Sequence, residues 1–219
     1  MKKRVSAIAV VFVCILLCIL IYILFRYQNT SPKRLPDRYP IPLQQTHSLS
    51  DKDQDGIDDQ RDILQGALNY IASRPKYKSK YYQTGYPDDE YGVCTDVVAN
   101  ALKNAGYDLM TLVQEDIQNN PEDYAIDNPD KNIDFRRVRN LTVYFAHSAL
   151  SLTVNVYDLE EWQGGDIVIF QHHIGIVSDH RNKSGVPYII HHNDPWQKSY
   201  EQDILETRND IVAHYRMAG

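Results

Sequence analysis

Residues 5–25, VSAIAVVFVCILLCILIYILF, carry no charged side chain. No other feature limits the chain as much, because an unbroken run of this length has no polar face to show water. About 20 apolar residues at 1.5 Å rise cross a hydrocarbon core of roughly 30 Å. Lys2, Lys3 and Arg4 precede the run, and the positive-inside bias holds such an N-terminus in the cytoplasm. A cleaved signal peptide is the alternative. The run exceeds the usual apolar length of about 7–15 residues, and the following FRYQNTSP offers no A-x-A-like site. The sequence predicts an uncleaved anchor over residues 1–26, a single pass in the cell membrane, with the rest of the chain extracellular. Cys14 and Cys18 read as ordinary apolar helix residues, since Val13 and Leu17 before them do not suit lipoprotein processing.

Composition matters once the anchor is set aside. The chain has 23 basic and 29 acidic residues. Lys2, Lys3, Arg4 and Arg26 are the only charges in the first 27 residues, so the remainder holds 19 basic against 29 acidic side chains, a formal charge of −10. That excludes nucleic acid as the main partner, because phosphate binding needs a positive surface. Cys94 is the one cysteine outside the anchor, which excludes an internal disulfide framework and a Cys-rich zinc module. Residues 27–48 contain four prolines and no helical or strand period. They read as an extended linker that lifts the following domain off the membrane.

Residues 51–62, DKDQDGIDDQRD, have the spacing of an EF-hand loop. Asp51, Asp53 and Asp55 alternate, Gly56 permits the sharp turn, and Asp59 and Asp62 fall at positions 9 and 12. Ile57 would offer its backbone carbonyl and turn its side chain inward. A hard dication takes six to eight oxygens, and alternate Asp side chains converge on one point. The expected ligands of one Ca²⁺ are therefore Asp51, Asp53, Asp55, Ile57, Asp59 and Asp62, in a loop spanning 49–62. A solvated acidic linker is the plain alternative. A helix follows, with Ile63, Ala67, Tyr70 and Ile71 on one face. PIPLQQTHSLS before the loop is a poor helix former, so the loop is nearer a dockerin-like calcium repeat than a full EF-hand.

Residues 63–219 read as an α+β domain. CTDVVANALKNAGYDL gives a helix that begins at Cys94 and stops at Gly106. Amides at a helix start favour a thiolate, although a small buried hydrophobe is the commoner fate of a free Cys. GDIVIF (165–170), HIGIVSD (173–179), YIIHHN (188–193) and IVAHYRM (211–217) read as strands joined by short turns, hence an antiparallel sheet. His173 opens one strand and His191 and His192 close the next. A helix-start thiol, then a strand-borne imidazole, then a polar residue is the order that nucleophilic thiol chemistry needs. Zinc would need more regular ligand spacing.

GVCTDVVANAL, PDKNIDFRRVRNL, GDIVIFQHHIGIVSD and PYIIHHN resemble the bacterial family DUF1287 over roughly residues 60–217. Its wider resemblance is to NlpC/P60-like, papain-like cysteine peptidases and amidases. The resemblance implies a papain-like fold, with a helical first half and Cys at a helix N-terminus packed on the sheet. It implies Cys94 as nucleophile, His173 as general base and His191 as the orienting third group, with His192 and Asn193 as alternatives. His191 and Asn193 would share one strand face and His192 the other. The expected activity is a membrane-anchored extracellular thiol hydrolase of an amide bond, with peptidoglycan as the envelope substrate. Two rivals stand beside it: a non-catalytic, calcium-stabilised envelope scaffold, and another thiol enzyme such as an acyltransferase. Arg136, Arg137 and Arg139 read as a solvated basic face, or one of them as a binder of a substrate carboxylate. His47, His147, His180 and His214 read as surface or structural residues.

Overall fold

The computed structural model describes residues 2–43 and 50–217. His47 and the first residue of the expected calcium segment lie outside the described residues. Helix α1 (Lys2–Arg26) is the apolar run, and its side chains over residues 7–25 are exposed. Its stretch Ala7–Arg26 has mean hydropathy 3.4, long and apolar enough for a membrane span or a signal sequence.

A mixed α+β domain follows. Helix α2 (Asp59–Ala72) is capped by the Asp58 side chain, which accepts the Arg61 amide. A short parallel pair, β1 (Lys76–Tyr77) and β2 (Tyr91–Gly92), ties the next loop down. Helices α3 (Cys94–Asn104), α4 (Leu109–Asn119), α5 (Lys131–Asp134) and α6 (Val138–Ser148) complete the helical half. Helix α4 had no counterpart among the sequence expectations; its buried face is only Leu109, Val113 and Ile117, a short stripe after a Gly stop.

The second half supplies β3 (Leu150–Ser151), β4 (Ile167–Phe170), β5 (His173–Arg181), β6 (Pro187–Ile190), β7 (Glu201–Gln202) and β8 (Ile211–Arg216). They form one six-stranded antiparallel sheet in the order β3-β8-β4-β5-β6-β7. Both faces of the central strands are covered, which explains their near-continuous apolar sequence. Ile167, Ile169, Ile174 and Ile176 pack towards the helices with Val97, Leu102, Leu141 and Phe145. Val168, Phe170, Val177 and Ile189 pack on the other face with Trp162, Val186 and Leu205. Each such fully buried side chain contributes about 1.5–3 kcal/mol.

After a left-handed Gln28, residues 29–39 form no helix, but they are not a spacer. They run as a strap along the β6–β7 side of the sheet. Gln28 exchanges two hydrogen bonds with the Tyr77 backbone, at 2.8 and 2.6 Å. Ser31 bridges to Ser199, and Arg34 reaches the buried Glu201, Asp179 and Ser178. Arg38 N–H donates to the Arg181 carbonyl at 2.9 Å. The expectation of a linker lifting the domain away is corrected here. Polar strap residues find partners that a sequence without regular period does not advertise.

Candidate functional site

Cys94 is the first residue of α3. Val93 before it is extended, and Asp96, three positions on, accepts the Val93 amide at 2.8 Å. The same carboxylate is gripped by Arg136, with Nε to Oδ1 at 2.7 Å and Nη2 to Oδ2 at 2.9 Å. Both side chains are buried, at 2% and 0% exposed. Arg136 Nη1 also donates to the Lys80 carbonyl at 2.7 Å. A bidentate buried pair of this kind fixes geometry, and what it fixes is the first turn carrying the thiol. Arg136 is thus neither a solvated residue nor free for a substrate carboxylate. Arg137 lies 3.7 Å from Asp134. The buried pair was missed because its members are 40 residues apart and each looks ordinary alone.

The Cys94 side chain keeps some exposed surface, but its sulfur is largely enclosed by protein. Burial pushes the thiol up to about 11, although the Ile174, Thr95 and Cys94 amides all favour the thiolate. The helix-start preference for a thiolate is therefore outweighed by burial. Helix-start amides do act on the sulfur, but loss of water costs more than they return.

The Ile174 amide beside the sulfur belongs to the residue after His173. His173 opens β5 opposite Phe170, and its Nε2 lies 2.8 Å from His191 Nδ1. His191 Nε2 in turn lies 2.8 Å from Gln202 Oε1. Gly175 makes this approach possible: a Cβ there would meet Ile189 Cγ2 at 2.7 Å and His191 Cβ at 3.2 Å. Burial holds both imidazoles neutral. It lowers His173 to about 4, with Arg208 adding to the effect, and His191 to about 3, with His173 adding.

Neutral rings in this line have defined tautomers. An amide oxygen only accepts, so His191 Nε2 carries hydrogen and its Nδ1 is bare. His173 Nε2 then donates to that Nδ1. His173 Nδ1 is left with a lone pair, the form a proton acceptor needs. Among the described residues no hydrogen bond joins this nitrogen to the Cys94 sulfur. Gln202 was not expected from the sequence; it sits on a two-residue strand with no motif around it.

Of the three alternatives for the third group, His191 is the one bonded to His173. His192 is fully buried between Tyr77 and Tyr200, with ring centroids 5.3 and 5.1 Å away. Neither of its ring nitrogens has a hydrogen-bond partner, and burial lowers it to about 4. Asn193 is exposed; its amide group binds Asp194 at 2.8 Å, and its backbone N–H donates to Gln197. His214 is structural: it stacks on Trp162 at 3.8 Å and contacts the buried Asp166 at 2.9 Å. His180 reaches the strap at the Leu35 carbonyl, and His147 reaches Asp116.

In the acidic loop, carboxylate oxygens of Asp51, Asp53 and Asp55 lie within 4.8 Å of one another. Gly56 has φ +92°, which only glycine adopts without strain. Asp62, in the first turn of α2, lies close enough for the charges of these residues to act on it. It is 4% exposed, and its Oδ2 has no hydrogen-bond partner. Burial, then the charges of Asp55, Asp53 and Asp51, raise it to about 6. Asp59 is occupied elsewhere: Oδ1 accepts the Lys52 amide at 2.8 Å and Oδ2 the Tyr107 hydroxyl at 2.5 Å. The Ile57 side chain is exposed rather than inward, because α2 begins two residues later and leaves no core there.

The domain's resemblances agree with its motifs. The family model described as a domain of unknown function, DUF1287, matches residues 64–217. The uncharacterized protein YijF of Escherichia coli (strain K12) is 36% identical over 167 residues, covering 70% of this chain and 80% of that one. No solved structure matches. A match over residues 64–217, which include Cys94, His173 and His191, makes this chain a member of the DUF1287 family.

Proposed function

We propose that the chain is a membrane-anchored, papain-like thiol hydrolase that cleaves an amide bond, with peptidoglycan as its substrate class. The observation that carries this reading is the line Gln202–His191–His173. It leaves an acceptor lone pair on His173, the residue before Ile174, whose backbone amide bonds the Cys94 sulfur. The resemblance to NlpC/P60-like enzymes adds the order Cys, His, polar residue.

The thiol and the imidazole rest as a neutral pair, since burial opposes both charged forms. Proton transfer then accompanies attack. The Cys94 S–H proton passes to His173 Nδ1 while sulfur bonds to the carbonyl carbon and the C=O pair moves to oxygen. The Cys94 amide stabilises that oxyanion. Collapse breaks the C–N bond, and His173 returns the proton to the leaving amine. Water then adds to the thioester, giving its proton to His173, which passes it to the departing sulfur.

The anchor reading is supported where α1 meets the domain. Arg26 Nη2 donates to the Trp196 carbonyl at 2.9 Å, and Gln28 N–H donates to Pro195 at 2.7 Å. The exposed Tyr27 and Trp196 rings meet at 5.1 Å, the kind of aromatic pair that suits a membrane–water interface. Protease added to intact cells should digest the domain while α1 stays in the membrane. A mature chain that starts after residue 25 would overturn the anchor.

A second reading of the base is favoured by one observation: buried His192 has two unpartnered nitrogens. The test covers both. The full chain in detergent is incubated with peptidoglycan fragments, and new amine and carboxylate ends are read by mass spectrometry. Release that is lost in Cys94→Ser and His173→Ala but kept in His192→Phe supports the main reading. Release lost in His192→Phe but kept in His173→Ala moves the base to His192. No release by the unaltered chain favours the non-catalytic scaffold.

A further inference from the structure

We propose that the 51–62 loop is a structural calcium site held by the carboxylates of Asp51, Asp53, Asp55 and Asp62 with the Ile57 carbonyl, and that Asp59 is not a ligand. The acidic loop alone would not carry this, since exposed carboxylates commonly gather without an ion. The independent observation is Asp62. It comes from a different element, α2, it is more than nine-tenths buried, and its Oδ2 has no partner while the charges of Asp51, Asp53 and Asp55 act on it. A buried, unpaired carboxylate oxygen among like charges costs free energy unless a cation completes it.

The donor set selects the ion. Four carboxylates and a carbonyl are hard oxygen ligands without nitrogen or sulfur, which suits Ca²⁺ or Mg²⁺ rather than zinc or copper. The loop is open and glycine-hinged, and its ligands are all protein groups. Ca²⁺ accepts such irregular coordination of six to eight oxygens, whereas Mg²⁺ demands a near-octahedral cage and keeps its waters. Asp59 serves the site indirectly. Its two oxygens hold Lys52 N–H and Tyr107 O–H, and the loop packs at Gly106, where a Cβ would touch Asp53 Cβ at 3.0 Å. The ion would therefore join the start of α2 to the far end of α3. Cys94 lies at the opposite end of α3, so the role is a staple and not a part in the reaction.

The test uses the full chain in a non-chelating detergent, stripped with EGTA and titrated with Ca²⁺ by calorimetry, with melting followed in parallel. One Ca²⁺ should bind per chain, with a dissociation constant of about 10⁻³ M or below, and the melting temperature should rise by mass action. Asp62→Asn and Asp53→Asn should each weaken binding about tenfold or more, while Asp59→Asn should change it by less than about threefold. In EGTA, Asp62→Asn should melt no lower than the unaltered chain, because it removes a repelled charge. This last readout separates loss of a ligand from damage to the fold, and Asp53→Asn repeats the test on the exposed side of the loop. No saturable uptake below about 10 mM Ca²⁺ would overturn the site. Unchanged binding in Asp62→Asn, loss of binding in Asp59→Asn alone, or tighter binding of Mg²⁺ than of Ca²⁺ would also overturn the proposal.

Discussion

At the end of the sheet, His173 and His191 share a hydrogen bond and a ring contact, His192 lies between two tyrosines, and all three are pushed towards the neutral form. At the start of α2, three exposed or half-exposed carboxylates gather within 4.8 Å, and a fourth, Asp62, is buried beside them. Both regions concentrate titratable groups, and burial acts on each, holding the imidazoles neutral and raising Asp62. At the histidine end His173 and His191 are satisfied internally, through an acceptor at Gln202 and a chain of donors, and only His192 is left without one. The acidic loop has no such internal answer for Asp62, and that is the physical sign of an outside partner. Unpaired polarity carries information about ligands that clustering alone does not.

Three predictions would break or sharpen this contrast. The largest effect belongs to the buried ion pair beneath the thiol. Asp96→Ala would leave Arg136 charged and unpaired at 2% exposure, a loss of about 3–5 kcal/mol. That is a large share of the roughly 5–15 kcal/mol that holds a domain folded. Urea unfolding should show it, whereas the pair change Asp96→Leu with Arg136→Met should recover most of the loss. Equal instability of the single and double variants would mean the pair is not what fixes the start of α3.

The second prediction sets the two regions against each other by pH. His173 and His192 sit at about 4 and His191 at about 3 when folded, against roughly 6.5 unfolded. Between those values the unfolded chain binds the extra protons. Stability from the three rings is therefore complete above about pH 6.5 and falls as pH drops towards 4 and below. Asp62 behaves oppositely. Its folded value is raised to about 6, so in EGTA its contribution is lost as pH rises from about 4 to 6. Melting curves from pH 4 to 7 should show His192→Phe flattening the acid side and Asp62→Asn flattening the opposing trend. Calcium should mimic Asp62→Asn. Melting that stays flat across this range in every variant would sink the contrast.

Legibility in the sequence followed the same divide. The loop was readable because its proposed ligands are nearly contiguous, and a spacing of alternate Asp residues is visible in one dimension. The structure still redirected Asp59 to Tyr107 and exposed Ile57, since both depend on where α2 starts and on a tyrosine 48 residues away. The strands and the Cys94 helix were readable from apolar runs, Gly106 and short turns. The edge of the sheet was not. The β6 strand ends at Ile190, before the two histidines expected at its tip, and β7 is two residues long. The upward thiol shift has the same origin. A helix start is a local property, while burial of the sulfur by β5 is tertiary.

The smallest predicted effect tests the hydrogen-bond line itself. Gln202 Oε1 fixes the His191 tautomer, and through it the lone pair on His173 Nδ1. ¹⁵N spectra of histidine-labelled chain near pH 7 should show hydrogen on Nε2 of both His173 and His191. Gln202→Leu removes the acceptor, so His191 loses its reason to keep hydrogen on Nε2. Mixed tautomers should then appear at His173, and any Cys94-dependent turnover should fall about tenfold, less than the full loss of a base. Gln202→Glu restores an acceptor and should return the original tautomer. It should also raise the His191 pKa, because a carboxylate favours the imidazolium. Hydrogen on His173 Nδ1 in the unaltered chain would reverse the line. The proposed proton acceptor for the thiol would then have to be His192, whose two nitrogens are unpartnered.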